Sequence, residues 1–314
     1  MILSTTIQFP NLHINIEHLP KSFSVFGFDI AFYGCIIALG MLAGIAIVCY
    51  EAKRTGQDYN QYIDFALYAI VFSVIGARVY YVIFRWSYYS AHPTEIINIR
   101  EGGLAIYGGV IVAILTCFIY TKIKKMSFPK VCDTAILGLI LGQIIGRWGN
   151  FFNREAFGGV ARDKNPWAMR IYFDENYDIS QVPDVVKNGM EALRGKALSE
   201  IGYIQVQPTF LYESLWNLFV LVLMLIFRRK KKFDGEVILW YLIGYGIGRA
   251  VIEGMRTDQL IMPVTGWPVS QALSIVVATV SVIVVIVKRK AEDYEGICGI
   301  NHGNHDKHRN DHLL

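Results

Sequence analysis

The residues best suited to chemistry are charged side chains that lie inside long apolar runs. A charged group near the middle of a membrane-spanning helix costs about 2.5–3.5 kcal/mol on insertion scales, so such residues usually face a cavity and mark function. The apolar runs of this chain are interrupted by Arg78, Arg147, Glu213, Arg249 and Glu253. These positions are the first candidates for a site.

The spacing of these charges indicates that polar residues share helix faces. Residues four apart, or four and then three apart, lie on one side of a helix. Two sets follow this rule: Tyr241, Tyr245, Arg249 and Glu253, and Gln143, Arg147 and Asn150.

A glycine- and asparagine-rich run surrounds Arg147. It extends over Gly146–Gly158 and contains Asn150, Asn153 and Glu155. The planar fork of arginine binds phosphate through two parallel hydrogen bonds. Amide donors and glycines suit a phosphate that is held between apolar walls. The run therefore indicates a binding site for a phosphate group.

A structural ion pair is the alternative for Arg249 and Glu253, because opposite charges one turn apart also hold helices together. The second arginine and the two asparagines favour anion binding instead. The motifs HExxH, GxSxG and GxxxxGK[ST] are not present, and no histidine lies in an apolar run. The sequence therefore implies no metal and no other cofactor.

The elements that must position these residues are membrane-spanning helices. Hydrophobic residues make up 54% of the 314 residues and charged residues only 18%, whereas soluble domains carry about 25% charged residues. The apolar residues lie in blocks of about 20, the length that crosses a bilayer core. Each span must satisfy its own backbone hydrogen bonds in lipid, so we predict an all-α polytopic membrane protein. The seven predicted spans are Phe28–Tyr50, Tyr62–Phe84, Leu104–Tyr120, Val131–Trp148, Phe210–Phe227, Val237–Ile252 and Trp267–Val287.

Lysine and arginine predict the orientation of these spans. They cluster after spans one, three, five and seven, the largest cluster being Arg228–Lys232, and they are few in the opposite loops. By the positive-inside rule, the amino terminus is predicted to lie outside and the carboxyl terminus in the cytoplasm. The basic cluster is therefore an orientation signal, and we expect no nucleic-acid partner.

The segments between and beyond the spans divide the chain into regions. Residues 1–27 are predicted to be extracytoplasmic; they lack the features of a cleaved signal peptide, so the first span is expected to be retained. Residues 28–290 form the seven-span domain, in which residues 151–208 make a small extracytoplasmic subdomain. Residues 291–314 form a polar tail with histidines. A metal-binding tract is one interpretation of the tail, and a disordered cytoplasmic segment is the favoured one.

The run Gly146–Gly158 resembles the signature of the prolipoprotein diacylglyceryl transferase family. Every fixed position of that signature is matched by the letters GRWGNFFNREAFG. The resemblance covers roughly residues 25–288 and includes the seven-span plan. It continues in Glu101–Gly109, Pro208–Glu213 and Gly244–Glu253.

This resemblance implies a transferase of the bacterial cytoplasmic membrane that acts on phosphatidylglycerol and prolipoproteins. In the family, the lipobox cysteine attacks the glyceryl carbon of the lipid, a thioether forms and glycerol phosphate leaves. Arg147 and Arg249 would hold and neutralise the departing phosphate, and Glu253 would orient Arg249. The other residues implied at the site are Asn150, Asn153, Glu155, Gly158, Tyr33 and Tyr245.

Two positions depart from the better-known members of the family. Tyr107 and Gln207 stand where those members carry histidine, so a histidine base is absent at both. A free thiol has a pKa of about 8.5, and a nearby cation lowers it. We therefore expect the arginines to stabilise the thiolate and Tyr107 to be mainly positional.

A transporter or flippase for an anionic lipid or solute is the main alternative. It would use the same arginines but release its cargo unchanged. Such proteins often show inverted repeats with broken helices, and no repeat is evident in this sequence. The transferase is therefore the favoured hypothesis.

Overall fold

The computed structural model of this chain describes residues 5–99, 102–173, 179–262 and 265–310. It divides into two compact units, unit 1 with residues 1–42 and 139–314, and unit 2 with residues 43–138. The strands are β1 (Thr5–Phe9), β2 (Ile14–Leu19), β3 (Ser22–Val25), β4 (Phe28–Ala31), β5 (Met169–Tyr172) and β6 (Tyr203–Val206). The helices are α1 (Phe32–Arg54), α2 (Tyr59–Phe84), α3 (Trp86–Tyr89), α4 (Ile106–Ile123), α5 (Phe128–Asn153), α6 (Asp184–Arg194), α7 (Leu198–Ile201), α8 (Thr209–Phe227), α9 (Glu236–Glu253) and α10 (Val269–Asn310).

Six helices of the described residues are long and apolar enough to cross a membrane, namely α1, α2, α4, α5, α8 and α10. The prediction of a predominantly helical, polytopic membrane protein is therefore confirmed. Helix α9 matches the predicted sixth span but carries Glu236, Arg249 and Glu253 within its 18 residues. Its crossing of the membrane, and with it the count of seven, stays a prediction, as does the orientation of the spans.

The first span begins later than the sequence predicted. Residues Phe28–Ala31 form β4 and pair with β3, and α1 starts at Phe32. Polar and apolar residues alternate over Ser22–Val25 and over Phe28–Ile30, on either side of the Phe26-Gly27 turn, and this alternation is the period of a strand. Phe28, Ile30 and Ala31 lead directly into the long apolar run of α1, and the predicted span therefore began four residues too early.

The last helix extends beyond the predicted span. Helix α10 continues to Asn310 and so includes most of the segment that was expected to be a disordered tail. No proline interrupts the sequence from Val269 onward, so the helix can continue without a break. Residues 311–314 of the predicted tail lie outside the described residues.

A four-stranded antiparallel sheet in unit 1 has the order β2-β1-β5-β6. It joins the predicted amino-terminal segment to the predicted subdomain, since Ile7 pairs with Ile171 and Ile171 with Ile204. The expectation of an all-α chain is thus incomplete outside the spans. Strands of four to six residues that pair with partners far along the chain leave little local signal in the sequence.

The core of this subdomain lies between the sheet and α6. Ile7, Ile171 and Ile204 of the sheet are buried together with Val186 and Met190 of α6. These apolar contacts are the main source of stability for a layer of this size. Phe151 of α5 and Phe210 of α8 belong to the same buried cluster, so the core of the subdomain is continuous with these two helices.

Unit 2 contains a buried arginine, Arg78 of α2, whose guanidinium group is satisfied by main-chain carbonyl groups. It donates to the oxygens of Glu95 (2.7 Å), Ile96 (2.8 Å), Gly102 (3.0 Å) and Gly103 (2.9 Å). A buried charge is tolerated when hydrogen bonds replace its hydration. Arg78, one of the charges within the apolar runs, thus holds the segment that precedes α4 in place.

Candidate active site

Three helices of unit 1 bring the site residues together. Arg147 lies near the carboxyl end of α5, Glu213 near the amino end of α8, and Arg249 and Glu253 in the last turns of α9. Glycines on α9 allow close packing, because a Cβ at Gly248 would lie 2.1 Å from the ring of Trp216 of α8. The indole Nε1 of Trp216 donates to the carbonyl of Gly244 at 2.8 Å, which fixes the two helices against each other.

Glu213 is buried, and three guanidinium groups converge on its carboxylate. Arg147 Nε lies 2.6 Å from Oε2, while Nη1 of Arg249 and Nη1 of Arg256 lie 3.2 Å and 3.4 Å from Oε1. A buried carboxylate needs such partners, because an unpaired charge in an apolar interior is strongly unfavourable. Glu213 therefore holds the three arginines in one cluster.

Glu253 is a second buried carboxylate of the same cluster. Arg249 Nη2 lies 2.6 Å from its Oε2, and Arg256 Nε lies 3.9 Å from the same atom. The hydroxyl of Ser270 on α10 donates to Oε1 of Glu253. Arg249 is thus held between Glu213 and Glu253, with one nitrogen directed at each.

Arg256 follows the end of α9 and is paired with Asp258. Its Nε and Nη2 atoms donate to the two carboxylate oxygens at 2.9 Å and 2.7 Å. Burial alone would raise the pKa of Asp258, but the bonds and the charge of Arg256 outweigh it and hold this pKa below its usual value. Burial alone would lower the pKa of Arg256, and the neighbouring carboxylates more than reverse that effect. Both groups are therefore charged at neutral pH.

The asparagines of the glycine-rich run surround a third carboxylate. Asn150 Nδ2 and Asn153 Nδ2 donate to Glu155 Oε1 at 3.0 Å and 3.2 Å. Asn150 also accepts a long hydrogen bond from Arg147 Nη1, at 3.4 Å. The run therefore forms a continuous polar chain from the arginine cluster to Glu155.

Gly158 closes this run by packing against two other backbone segments. Its N–H donates to the carbonyl of Gln207 at 2.9 Å, and the N–H of Gly159 donates to that of Met255 at 2.9 Å. A Cβ at position 158 would lie 3.0 Å from both Gln207 Cβ and the Met255 oxygen. The absence of a side chain at Gly158 thus permits the segment to sit beside the end of α9.

Tyr33, the second residue of α1, packs on the same run. A Cβ at Gly149 would lie 2.8 Å from Cδ2 of the Tyr33 ring, so this glycine makes room for the tyrosine. Tyr245 stacks on Tyr241 at 5.3 Å between ring centroids. Tyr241 in turn exchanges hydrogen bonds with the amide of Gln143, at 2.9 Å and 3.2 Å.

The structure thus gathers most of the predicted site residues in unit 1, while Tyr107 lies in unit 2, as the second residue of α4. Two members of the cluster, Arg256 and Asp258, were not among the predicted site residues. Glu213 was a candidate as a charge within a span, but the sequence assigned it no role. Arg256 continues the polar face of α9, three residues after Glu253, although it lies beyond the last apolar residue.

The fold and the site define a multi-pass membrane protein with a buried cluster of arginines and carboxylates. Residues 20–287 match the family model described as prolipoprotein diacylglyceryl transferase. The chain belongs to this family.

Curated relatives agree with this assignment. The chain is similar to proteins named phosphatidylglycerol–prolipoprotein diacylglyceryl transferase. It is 44% identical to that of Clostridioides difficile over 241 residues, 77% of this chain and 84% of the relative. It is 40% identical to that of Finegoldia magna over 270 residues, 86% of this chain and 95% of the relative. It is also 40% identical to that of Bacillus cytotoxicus over 264 residues, 84% of this chain and 89% of the relative.

Proposed function

We propose that this chain transfers the diacylglyceryl group of phosphatidylglycerol to the cysteine of a prolipoprotein lipobox, the first step of lipoprotein maturation. The observation that carries the proposal is the convergence of Arg147, Arg249 and Arg256 on the buried Glu213. This cluster lies within a chain that belongs to the transferase family. The site would lie in the bacterial cytoplasmic membrane, open to the leaflet that faces outward.

The reaction requires stabilisation of a departing phosphate. The cysteine sulfur attacks the glyceryl carbon that carries the phosphate ester, the C–S bond forms and the C–O bond breaks with its electron pair going to the phosphate oxygen. The leaving glycerol phosphate then carries one more negative charge than the diester did, unless it takes up the thiol proton. Guanidinium groups placed beforehand stabilise that developing charge without reorganisation.

Arg147 and Arg249 are the groups we propose for this role. Their side chains are 21% and 17% exposed, whereas the carboxylates that pair with them are almost fully buried. Glu213 and Glu253 would therefore orient the guanidinium groups from the buried side. The exposed edges of the two arginines would bind the phosphate bidentately, as this fork does elsewhere.

The asparagine-rich run would position the headgroup. Asn150 and Asn153 hold the carboxylate of Glu155 at 3.0 Å and 3.2 Å. A carboxylate fixed in this way accepts hydrogen bonds from hydroxyl groups, such as those of a glycerol headgroup. Gly158 would keep the backbone of this region close to the end of α9. Tyr33 and Tyr245 would border the headgroup from α1 and α9.

The thiol would react as a thiolate stabilised by the arginines. Tyr107 and Gln207 provide no imidazole base, and a cation near a thiol lowers its pKa. Tyr107 would then act mainly by position. The substitution Tyr107→Phe tests this role. Near-total loss of turnover would mean that the hydroxyl takes part in the chemistry. A loss of less than about tenfold would agree with a positional role.

The proposal is tested with purified full-length protein, phosphatidylglycerol vesicles and a lipobox peptide whose mass is followed over time. We expect a gain of one diacylglyceryl unit, which Arg147→Ala and a cysteine-to-serine peptide both abolish. If the peptide mass does not change in any lipid mixture while labelled phosphatidylglycerol crosses the bilayer, the same arginines would belong to a transport pathway.

A further inference from the structure

The β3–β4 hairpin has an apolar face on which Val25, Phe28 and Ile30 are exposed, while Phe23 is half-buried. It forms a separate two-stranded sheet, with Phe23 opposite Ile30 and Val25 opposite Phe28. Directly opposite residues share one face, so these four apolar side chains lie together. The other face carries Ser22, Ser24, Asp29 and Ala31.

The turn of this hairpin carries an unusual residue. Phe26 and Gly27 connect the strands, and their φ angles are 50° and 82°. Two positive φ angles are the requirement of a type I′ turn, which favours Asn-Gly and is strained for a bulky side chain. Phe26 is nevertheless 97% exposed. The chain thus tolerates a backbone cost for a phenylalanine that contacts almost nothing of the protein.

The base of the hairpin is fixed to a membrane span. Strand β4 ends at Ala31 and α1 begins at Phe32. The N–H of Phe32 donates to the carbonyl of Lys21 at 3.0 Å, and the Phe32 ring lies 5.1 Å from that of Phe23. Helix α1 is long and apolar enough to cross a membrane. A crossing by α1 would therefore place the hairpin at one surface of the bilayer.

We propose that the β3–β4 hairpin is an interfacial anchor whose apolar face and tip insert into the lipid surface where α1 begins. An isolated two-stranded hairpin is marginal in water, and the bilayer would cover the side chains that the protein leaves exposed. Phenylalanine is common on the apolar face of segments that lie in the membrane interface. The exposed amine of Lys21 would meet the phosphate groups of anionic lipids, and the polar face would remain in water.

The anchor is tested by whether one substitution raises or lowers the rate of hydrogen exchange in the hairpin. Phe26→Asn gives the turn its preferred Asn-Gly sequence but removes the apolar tip. Hydrogen exchange of amides 22–31 is measured in the full chain in phosphatidylglycerol nanodiscs. If the membrane stabilises the hairpin, exchange becomes roughly fivefold faster in spite of the better turn. Unchanged or slower exchange would overturn the proposal, because only the turn would then matter.

Two further variants separate the anchor from a local folding defect. Phe28→Ser leaves the turn intact and is also expected to accelerate exchange, while Phe26→Trp keeps an interfacial aromatic ring and should retain slow exchange. Amides of β5, in the four-stranded sheet, serve as the internal reference and should not change. If Phe28→Ser leaves exchange unaltered, the apolar face does not contact lipid.

Crosslinking tests directly whether lipid contacts the apolar face of the hairpin. A photoreactive phenylalanine analogue at position 28 is compared with one at Val185 of α6, since these residues are 73% and 69% exposed. We expect adducts with the lipid acyl chains at position 28 and none at position 185. Equal labelling at both, or an adduct at position 28 that forms only with an added lipobox peptide, would overturn the lipid anchor.

Discussion

At the scale of single residues, Arg147 provides the sharpest test of the site. Its Nε atom pairs with Glu213 and its Nη1 atom contacts Asn150. Lysine would keep the charge but replace the planar fork by a single ammonium group. We expect Arg147→Lys to lower kcat/KM by roughly a hundredfold, as the loss of one preorganised donor does elsewhere. The rate of diacylglyceryl transfer to the lipobox peptide measures this effect.

Arg194 gives a matched control for that substitution. It also pairs with a carboxylate, donating to the two oxygens of Asp163 at 3.0 Å and 2.5 Å, and it is 23% exposed against 21% for Arg147. These hydrogen bonds lower the pKa of Asp163. Arg194→Lys should leave the transfer rate within about twofold, since exposed ion pairs contribute little. Similar losses in both variants would indicate a general folding effect rather than chemistry at Arg147.

Two neighbouring glycines offer a stability test. An alanine Cβ at Gly158 would lie 3.0 Å from the Met255 oxygen, whereas at Gly159 no described atom would lie within 4 Å. Gly158→Ala should lower the free energy of unfolding by about 1–3 kcal/mol because the main chain must shift. Gly159→Ala should change it by less than about 0.5 kcal/mol. Thermal unfolding in one detergent compares the two, and equal midpoints would refute the steric argument.

Sequence alone predicted most of the cluster at this scale. The spacing of Arg249 and Glu253 and the signature around Arg147 identified side chains that do meet in space. Arg256 was not predicted because it lies beyond Ile252, where the predicted span ends, although its spacing from Glu253 continues the polar face of α9. Its role depends on a turn that brings it back to Glu213, and this is a tertiary feature.

At the scale of elements, the apolar runs predicted the helices well and their ends less well. Helix α2 was predicted to end at Phe84 and does so. The start of α1 was wrong by four residues because Phe28–Ala31 is apolar enough to continue a span. What distinguishes this segment is its pairing with β3, which only a search for alternation on both sides of Phe26-Gly27 would indicate.

The loop before α4 provides the prediction at this scale. Arg78 donates to four carbonyl groups of residues 95–103, and the N–H of Ala105 donates to the carbonyl of Ala77 at 3.0 Å. Lysine has three donors without the planar geometry of arginine and cannot reproduce these bonds. Arg78→Lys should therefore accelerate hydrogen exchange at the Ala105 amide by roughly tenfold.

Arg85 is the control for Arg78. Its guanidinium group lies 5.8 Å from the centroid of the Tyr81 ring, over the same aromatic group that Arg78 approaches at 5.9 Å. Arg85→Lys retains a cation near this ring and should leave the Ala105 amide unchanged. If both variants accelerate exchange equally, the effect would not be specific to the carbonyl bonds of Arg78.

At the scale of the whole molecule, the sequence did not predict the union of the amino-terminal segment with the subdomain. Strand β1 pairs with β2 nearby and with β5 much later in the chain. Local periodicity cannot reveal such a pairing, and the charge pattern indicated only that both segments lie on the same side. The sheet is nevertheless consistent with that orientation, because paired strands must share one compartment.

The orientation itself is the last prediction. Lysine and arginine are concentrated after spans one, three, five and seven, so the subdomain should face outward and the carboxyl terminus the cytoplasm. Fluorescent protein fused to the carboxyl terminus of the full chain should therefore fluoresce in a bacterial host. Protease added to intact spheroplasts should cut only in the exposed loops around α6 and α7 and leave the fluorescent tail uncut. Cleavage of the tail in intact spheroplasts would show that the orientation is the opposite of the predicted one. It would also place the arginine cluster towards the cytoplasmic leaflet, where an exported prolipoprotein could not reach it from outside.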